Sequence, residues 1–249
     1  MLPVLKELLN YQDEELLGNT LWAYSAVTEQ KSSKLLINAV AKQNIATRLI
    51  ELVQSPSNHV FYPAMRVIGN ILVSDTEEHT VMFLCKEVFN ALGKFLYHQQ
   101  LAMRKEAIWA LSNIAATSAR CIQAIINHGL VPLIIKKMGE DDAFVRKEAA
   151  FTIGNIMWKG APSQVREIVK DGFMPQMVAL AQTPGVSEEV LEVVLGALDN
   201  LLKPEIPAED RIEYASMIDH CAKKFLQKVA STSTSAIQNM SNSLLQKVQ

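Results

Sequence analysis

Trp109 and Asn113 stand four residues apart, a spacing that sets both on one face of a helix. An asparagine amide carries a donor and an acceptor, so it can clip a peptide backbone whatever the peptide's side chains are. An indole face attracts a lysine or arginine head and packs against its methylene stem. Arg66 with Asn70, and Phe151 with Asn155, repeat the four-residue step. The chemistry on offer is recognition of an extended, basic peptide. Any one pair also has a plainer reading, because a lone Trp on an apolar helix is commonly core and a lone Asn commonly a cap or turn.

Recurrence separates the two readings. Trp22, Arg66, Trp109, Phe151 and Gly196 share one slot at steps of 44, 43, 42 and 45 residues, and Ala26, Asn70, Asn113, Asn155 and Asn200 follow four residues later. Buried asparagines in successive repeats are expensive unless something satisfies them. That partner is either a bound peptide or the backbone of an adjacent helix. Stacked helices lie roughly 8–10 Å apart. An extended peptide advances about 3.3 Å per residue, so each repeat would meet about two to three peptide residues.

A second series fixes the elements that must hold these side chains. Segments opening at Pro3, Ala46, Phe89, Pro132, Pro175 and Ile218 each begin 43 residues after the last. Proline at three of these suits a first helical turn, where its missing N–H costs nothing. Between the two series apolar residues recur at helical spacing, as at Val190, Leu191, Val194, Leu195 and Leu198. Strand signals are scarce. A period near 43 with about three helices per unit predicts an all-α armadillo-repeat array, a right-handed superhelical solenoid of about five to six repeats. The array is expected over 1–230, with a truncated first repeat entered at its second helix and an exposed apolar edge suited to self-association. The stretch 231–249 is polar and low in complexity, and is read as a flexible tail.

Composition agrees. The chain has 249 residues, 49% hydrophobic and 20% charged, with a formal net charge of −2. That balance argues against a nucleic-acid binder relying on bulk positive charge. Cys85, Cys121 and Cys221 are too scattered for a disulfide framework or a zinc site, which points to a reducing compartment. No run of about 18 apolar residues suggests a membrane span. The phosphate-binding GxxxxGK[ST], the GxSxG elbow and the HExxH metal motif are all missing, and the five histidines stand apart. Neither a catalytic residue, a metal nor a cofactor is expected.

Longer stretches add a family resemblance. Pro63-Ala64-Met65-Arg66-Val67-Ile68-Gly69-Asn70 resembles the arginine-bearing repeat of importin-alpha. Lys105-Glu106-Ala107-Ile108-Trp109-Ala110-Leu111-Ser112-Asn113 resembles the Trp/Asn repeat that follows it, and Lys147-Glu148-Ala149-Ala150-Phe151 through Asn155 the next. The similarity runs over about 2–203 and is strongest at 62–156.

The resemblance implies an adaptor for nuclear protein import, shuttling between cytoplasm and nucleus and binding nuclear localisation signals on its concave groove. Trp109, Asn113 and Asn155 match the minor site, with Phe151 in a tryptophan slot, and Ser112 is a further peptide-binding candidate. Arg66 and Asn70 match the repeat between the two sites, and Glu148 an acid near the bound basic side chain, with Glu106 its counterpart one repeat earlier. An alternative for both acids is a favourable charge in a helix's first turn, worth under about 1 kcal/mol. Trp22 and Trp158 are further groove candidates, although packing is the simpler role for Trp158. The major-site repeats and the basic segment that recruits importin-beta lie outside this sequence, which reads as a fragment or shortened product. The competing reading is an armadillo scaffold that assembles proteins for a purpose unrelated to transport.

Overall fold

The computed structural model describes residues 1–29, 34–73 and 76–248, and all regular structure among them is helical. The chain divides into two compact units, residues 1–128 and 129–249.

The first unit contains α1 (Leu2–Leu8), α2 (Glu14–Thr28), α3 (Lys34–Ala41), α4 (Ala46–Leu52), α5 (Asn58–Leu72), α6 (Glu77–Val81), α7 (Lys86–Leu96), α8 (Leu101–Ala115) and α9 (Ala119–Asn127). The three longest, α2, α5 and α8, pack in series, α2 on α5 and α5 on α8, while α4 packs on α7. Spacing of the apolar residues explains the order. In α8, Met103, Ala107, Leu111 and Ala115 are buried at steps of four, and Ile108, Ala110 and Ile114 widen the buried surface where the helix packs on α5, α7 and α9. Turn chemistry sets the ends. The Asp13 side chain accepts from the Leu16 backbone N–H at 2.8 Å and starts α2. Arg104 donates to the carbonyls of His98 and Gln99, both at 2.9 Å, and so ties the start of α8 to the end of α7.

The second unit contains α10 (Val131–Glu140), α11 (Ala143–Lys159), α12 (Pro162–Lys170), α13 (Phe173–Ala181), α14 (Glu188–Asn200), α15 (Ala208–Thr232) and α16 (Ser235–Lys247). Here α11 packs on α14 and α14 on α16, with α10 on α13 and α13 on α15. The Asp142 carboxylate accepts from the Phe144 N–H at 3.0 Å to cap α11. Arg146 donates to the Met138 carbonyl at 3.0 Å, repeating the Arg104 tie.

Five of the six expected openings fall at or just after helix starts. The sixth, Ile218, lies inside α15. Residues 208–232 contain neither Gly nor Pro, so nothing breaks the helix there. The expected flexible tail at 231–249 also takes a different form, since α16 occupies most of it. Ile237, Ser241 and Leu244 are buried, at helical steps of four and three, and the helix packs on α14 and α15. Lys247 Nζ reaches Asp199 Oδ1 at 2.6 Å. The polar composition of the segment conceals a one-sided apolar stripe.

Candidate functional site

The slot residues lie on the long helices of each unit. In the first unit, α2 carries Trp22, α5 carries Arg66 and Asn70, and α8 carries Glu106, Trp109, Ser112 and Asn113. Gly69 is what lets α8 bring its tryptophan down. A Cβ at Gly69 would sit 2.6 Å from Trp109 Cζ3, so the indole rests on bare backbone of α5. The Arg66 guanidinium lies 5.9 Å from the Trp109 ring centroid. It also pairs with Glu106 Oε1 at 3.1 Å.

Glu106 is only 6% exposed. Burial pushes its carboxyl above the usual carboxylate range, Arg66 pulls the other way, and Glu29 adds a smaller upward push. Its second oxygen, Oε2, has no hydrogen-bond partner among the described residues, and neither has Asn113 Nδ2. The two share a face of α8, seven residues apart with Trp109 between. An unmet acceptor and an unmet donor therefore flank one aromatic ring.

Asn70 differs. It is 4% exposed, and its amide donates to the Ser25 carbonyl at 3.2 Å and to Thr28 Oγ1 at 2.9 Å. It fastens α5 to α2, which is the adjacent-helix role raised from the sequence. Trp22 is exposed and meets Tyr62 edge to face at 5.5 Å. Sequence reasoning missed Tyr62, which hydrogen-bonds Arg66 and whose phenol is raised by burial and then by Glu106. Its signal was the four-residue step from Tyr62 to Arg66. The first-turn reading of the two acids does not fit, because α8 starts at Leu101 and α11 at Ala143, which puts both one turn further in.

In the second unit, α11 presents Glu148, Phe151, Asn155 and Trp158. Lys147 Nζ lies 5.4 Å from the Phe151 ring centroid and also pairs with Glu189. Trp158 does not pack into the core. It is 70% exposed, with Lys203 Nζ 4.9 Å from its ring. Phe151, Asn155 and Trp158 line a cleft of about 200 Å³ that is closed on its other side by α14, through Glu192, Gly196 and Asn200. Each of the rings Trp109, Phe151 and Trp158 thus faces a cation supplied by the chain itself.

Both units repeat one pattern, short leading helices followed by a long helix that carries an aromatic and an asparagine one turn apart. The Armadillo/beta-catenin-like repeat family matches residues 79–116, the span from α6 to α8. The chain has an armadillo-repeat fold. Its resemblance to importin-alpha holds over most of its length: it is 30% identical to importin subunit alpha-1b of Oryza sativa subsp. japonica over 223 residues, 88% of this chain and 41% of that protein. Importin subunit alpha-4 of Arabidopsis thaliana is 28% identical over 202 residues, 81% of this chain and 37% of that protein. The chain spans less than half the length of these relatives. Among solved structures, computationally designed armadillo repeat proteins for modular peptide recognition superpose with a TM-score of 0.87 at 23% identity, covering 99% of both chains. A designed armadillo repeat protein in complex with the peptide (KR)4 gives 0.85 at 24% identity, covering 100% of this chain and 99% of that one. At such identities the likeness is one of fold.

Proposed function

We propose that this chain binds lysine- and arginine-rich peptide segments of cargo proteins on its aromatic and asparagine ladder, as an importin-alpha-like adaptor in nuclear import, and works between cytoplasm and nucleus. The observation that carries the reading is the face of α8. There a tryptophan is flanked by a buried amide nitrogen and a buried carboxylate oxygen, each without a partner among the described residues. Leaving such groups unmet is costly. A peptide carbonyl would satisfy Asn113 and a cationic side chain Glu106, while the indole takes the stem. The importin-alpha relatives support the same reading. The designed armadillo repeat protein in complex with the peptide (KR)4 supports it as well.

The test is fluorescence anisotropy of a labelled bipartite basic peptide with the full chain and with Trp109→Ala/Asn113→Ala, at several salt concentrations. A control peptide carries alanine at the basic positions. Saturable binding that weakens roughly thirtyfold or more in the double variant is expected for a tryptophan hot spot. Equal binding of the control peptide, or no binding by a fully helical wild type, would reject the reading and leave the scaffold alternative.

A further inference from the structure

A second series runs in register with the ladder, and it fastens turns between helices. Phe61, Arg104 and Arg146 each stand five residues before Arg66, Trp109 and Phe151. Five residues of helix turn them roughly 140° away from the ladder face. Arg104 closes the α7–α8 turn on the His98 and Gln99 carbonyls, and Arg146 takes the Met138 carbonyl at the end of α10. By the same register, Ser55 and Pro56 occupy the places that His98 and Gln99 hold one repeat later. At this turn the slot holds a phenyl ring, which has no N–H to give. Phe61 instead stacks on Phe95 of α7, with ring centroids 4.7 Å apart. A cavity of about 450 Å³ opens there, between the turn 53–56 and α7. The carbonyls of Leu49, Glu51 and Leu52 accept from the backbone N–H groups of Val53, Gln54 and Ser55, and the turn that follows lines the cavity. Phe61 and Phe95 make an aromatic wall, and α7 adds Glu87, Asn90, Lys94 and His98.

We propose that this cavity is a docking site for an arginine side chain of a partner protein, which brings from outside the guanidinium that Arg104 supplies from within one repeat later. Two neighbouring turns of the same chain are the template, since each is fastened by an arginine on carbonyl oxygens. A guanidinium is a planar fork of five donors that can reach two adjacent carbonyls and stack on an aromatic face. An ammonium lacks the plane and fits less well. Carbonyl oxygens and the Glu87 carboxylate favour a cation over an anion, while Lys94, seven residues further along α7, works against it. The site lies off the ladder face, so it stands whether or not the Trp/Asn groove binds peptides.

The probe is N-acetyl-arginine methylamide, titrated into the full chain. Binding is followed by the methyl resonance of Ala91, which lines the cavity. The indole N–H resonances of the three tryptophans report on the groove. The lysine, citrulline and glutamate counterparts are compared, citrulline having the shape of arginine without its charge. Arginine should give a saturable Ala91 shift, lysine should bind about fivefold or more weakly, and citrulline and glutamate should give none. Phe61→Arg rebuilds the clasp from within and should abolish the response. Asn90→Trp, at an exposed position of α7, blocks the cavity without touching the core and should abolish it too. Lys94→Ala removes a like charge and should tighten binding about twofold. An unmoved Ala91 methyl, or an equal shift with citrulline, overturns the proposal. So does a preference for glutamate, which would make the cavity an anion site. Movement of the indoles alone would place the arginine in the groove and leave the cavity without a role.

Discussion

At the residue scale, the asparagines of the ladder are not equivalent, and their difference is measurable. Asn70 donates two buried hydrogen bonds to α2. Asn70→Ala strips them from buried acceptors and should cost about 1–3 kcal/mol. Asn113 has an unmet amide nitrogen, so Asn113→Ala removes an unsatisfied donor and should be nearly neutral for folding while reducing peptide affinity. Urea titration of both variants decides the point, and equal stability losses would contradict the assignment. Glu106 gives a second prediction. Its folded carboxyl is raised above the ordinary 4.5, so the folded state holds the proton more tightly than the unfolded chain. Its stabilising contribution is present below about 4.5 and is lost as pH rises through the raised folded value. Glu106→Gln should flatten the fall in unfolding free energy as pH rises above about 4.5 relative to wild type. Parallel pH profiles for the two proteins would show that the carboxyl is not perturbed. A bound cationic side chain acts in the opposite direction and favours the ionised form.

At the scale of the helices, two glycines with similar helical surroundings should respond in opposite ways. Gly196→Ala enters open space in α14 and relieves the entropic penalty of a helical glycine, so it should stabilise by about 0.5–1 kcal/mol. Gly69→Ala drives a methyl group into the Trp109 ring and should destabilise by about 1–3 kcal/mol, with a change in Trp109 emission. Thermal unfolding of the pair is the measurement, and a shared sign would mean that helix propensity, not the α5–α8 contact, governs both. The sequence revealed the aromatic and asparagine positions because one-turn spacing and a period near 43 are both linear patterns. It did not reveal that Gly69 is the seat of Trp109, since that contact joins residues forty apart. Nor did it show that Trp158 points into solvent. A tryptophan seven residues after Phe151 shares its face in either case, and only the opening at Gly196 decides what lies opposite.

At the scale of the whole chain, the repeat was legible wherever glycine, proline or a capping residue marked each helix, and it was lost where those marks fade. Past Pro207 the helix runs unbroken to Thr232, and composition concealed α16 because most of its residues are polar. Its buried members Ile237, Ser241 and Leu244 continue the succession of helices that pack on α14. In repeat arrays stability is close to a sum of unit and neighbour-interface contributions, so the loss of an end helix falls first on the helix beneath it. Each apolar side chain uncovered costs about 1.5–3 kcal/mol. Deleting residues 234–249 should therefore lower the unfolding midpoint and weaken hydrogen-exchange protection in α14, while the α5–α8 amides keep theirs. A flexible tail would leave both unchanged, so protection of α14 before and after the deletion separates a packed final helix from an ornament.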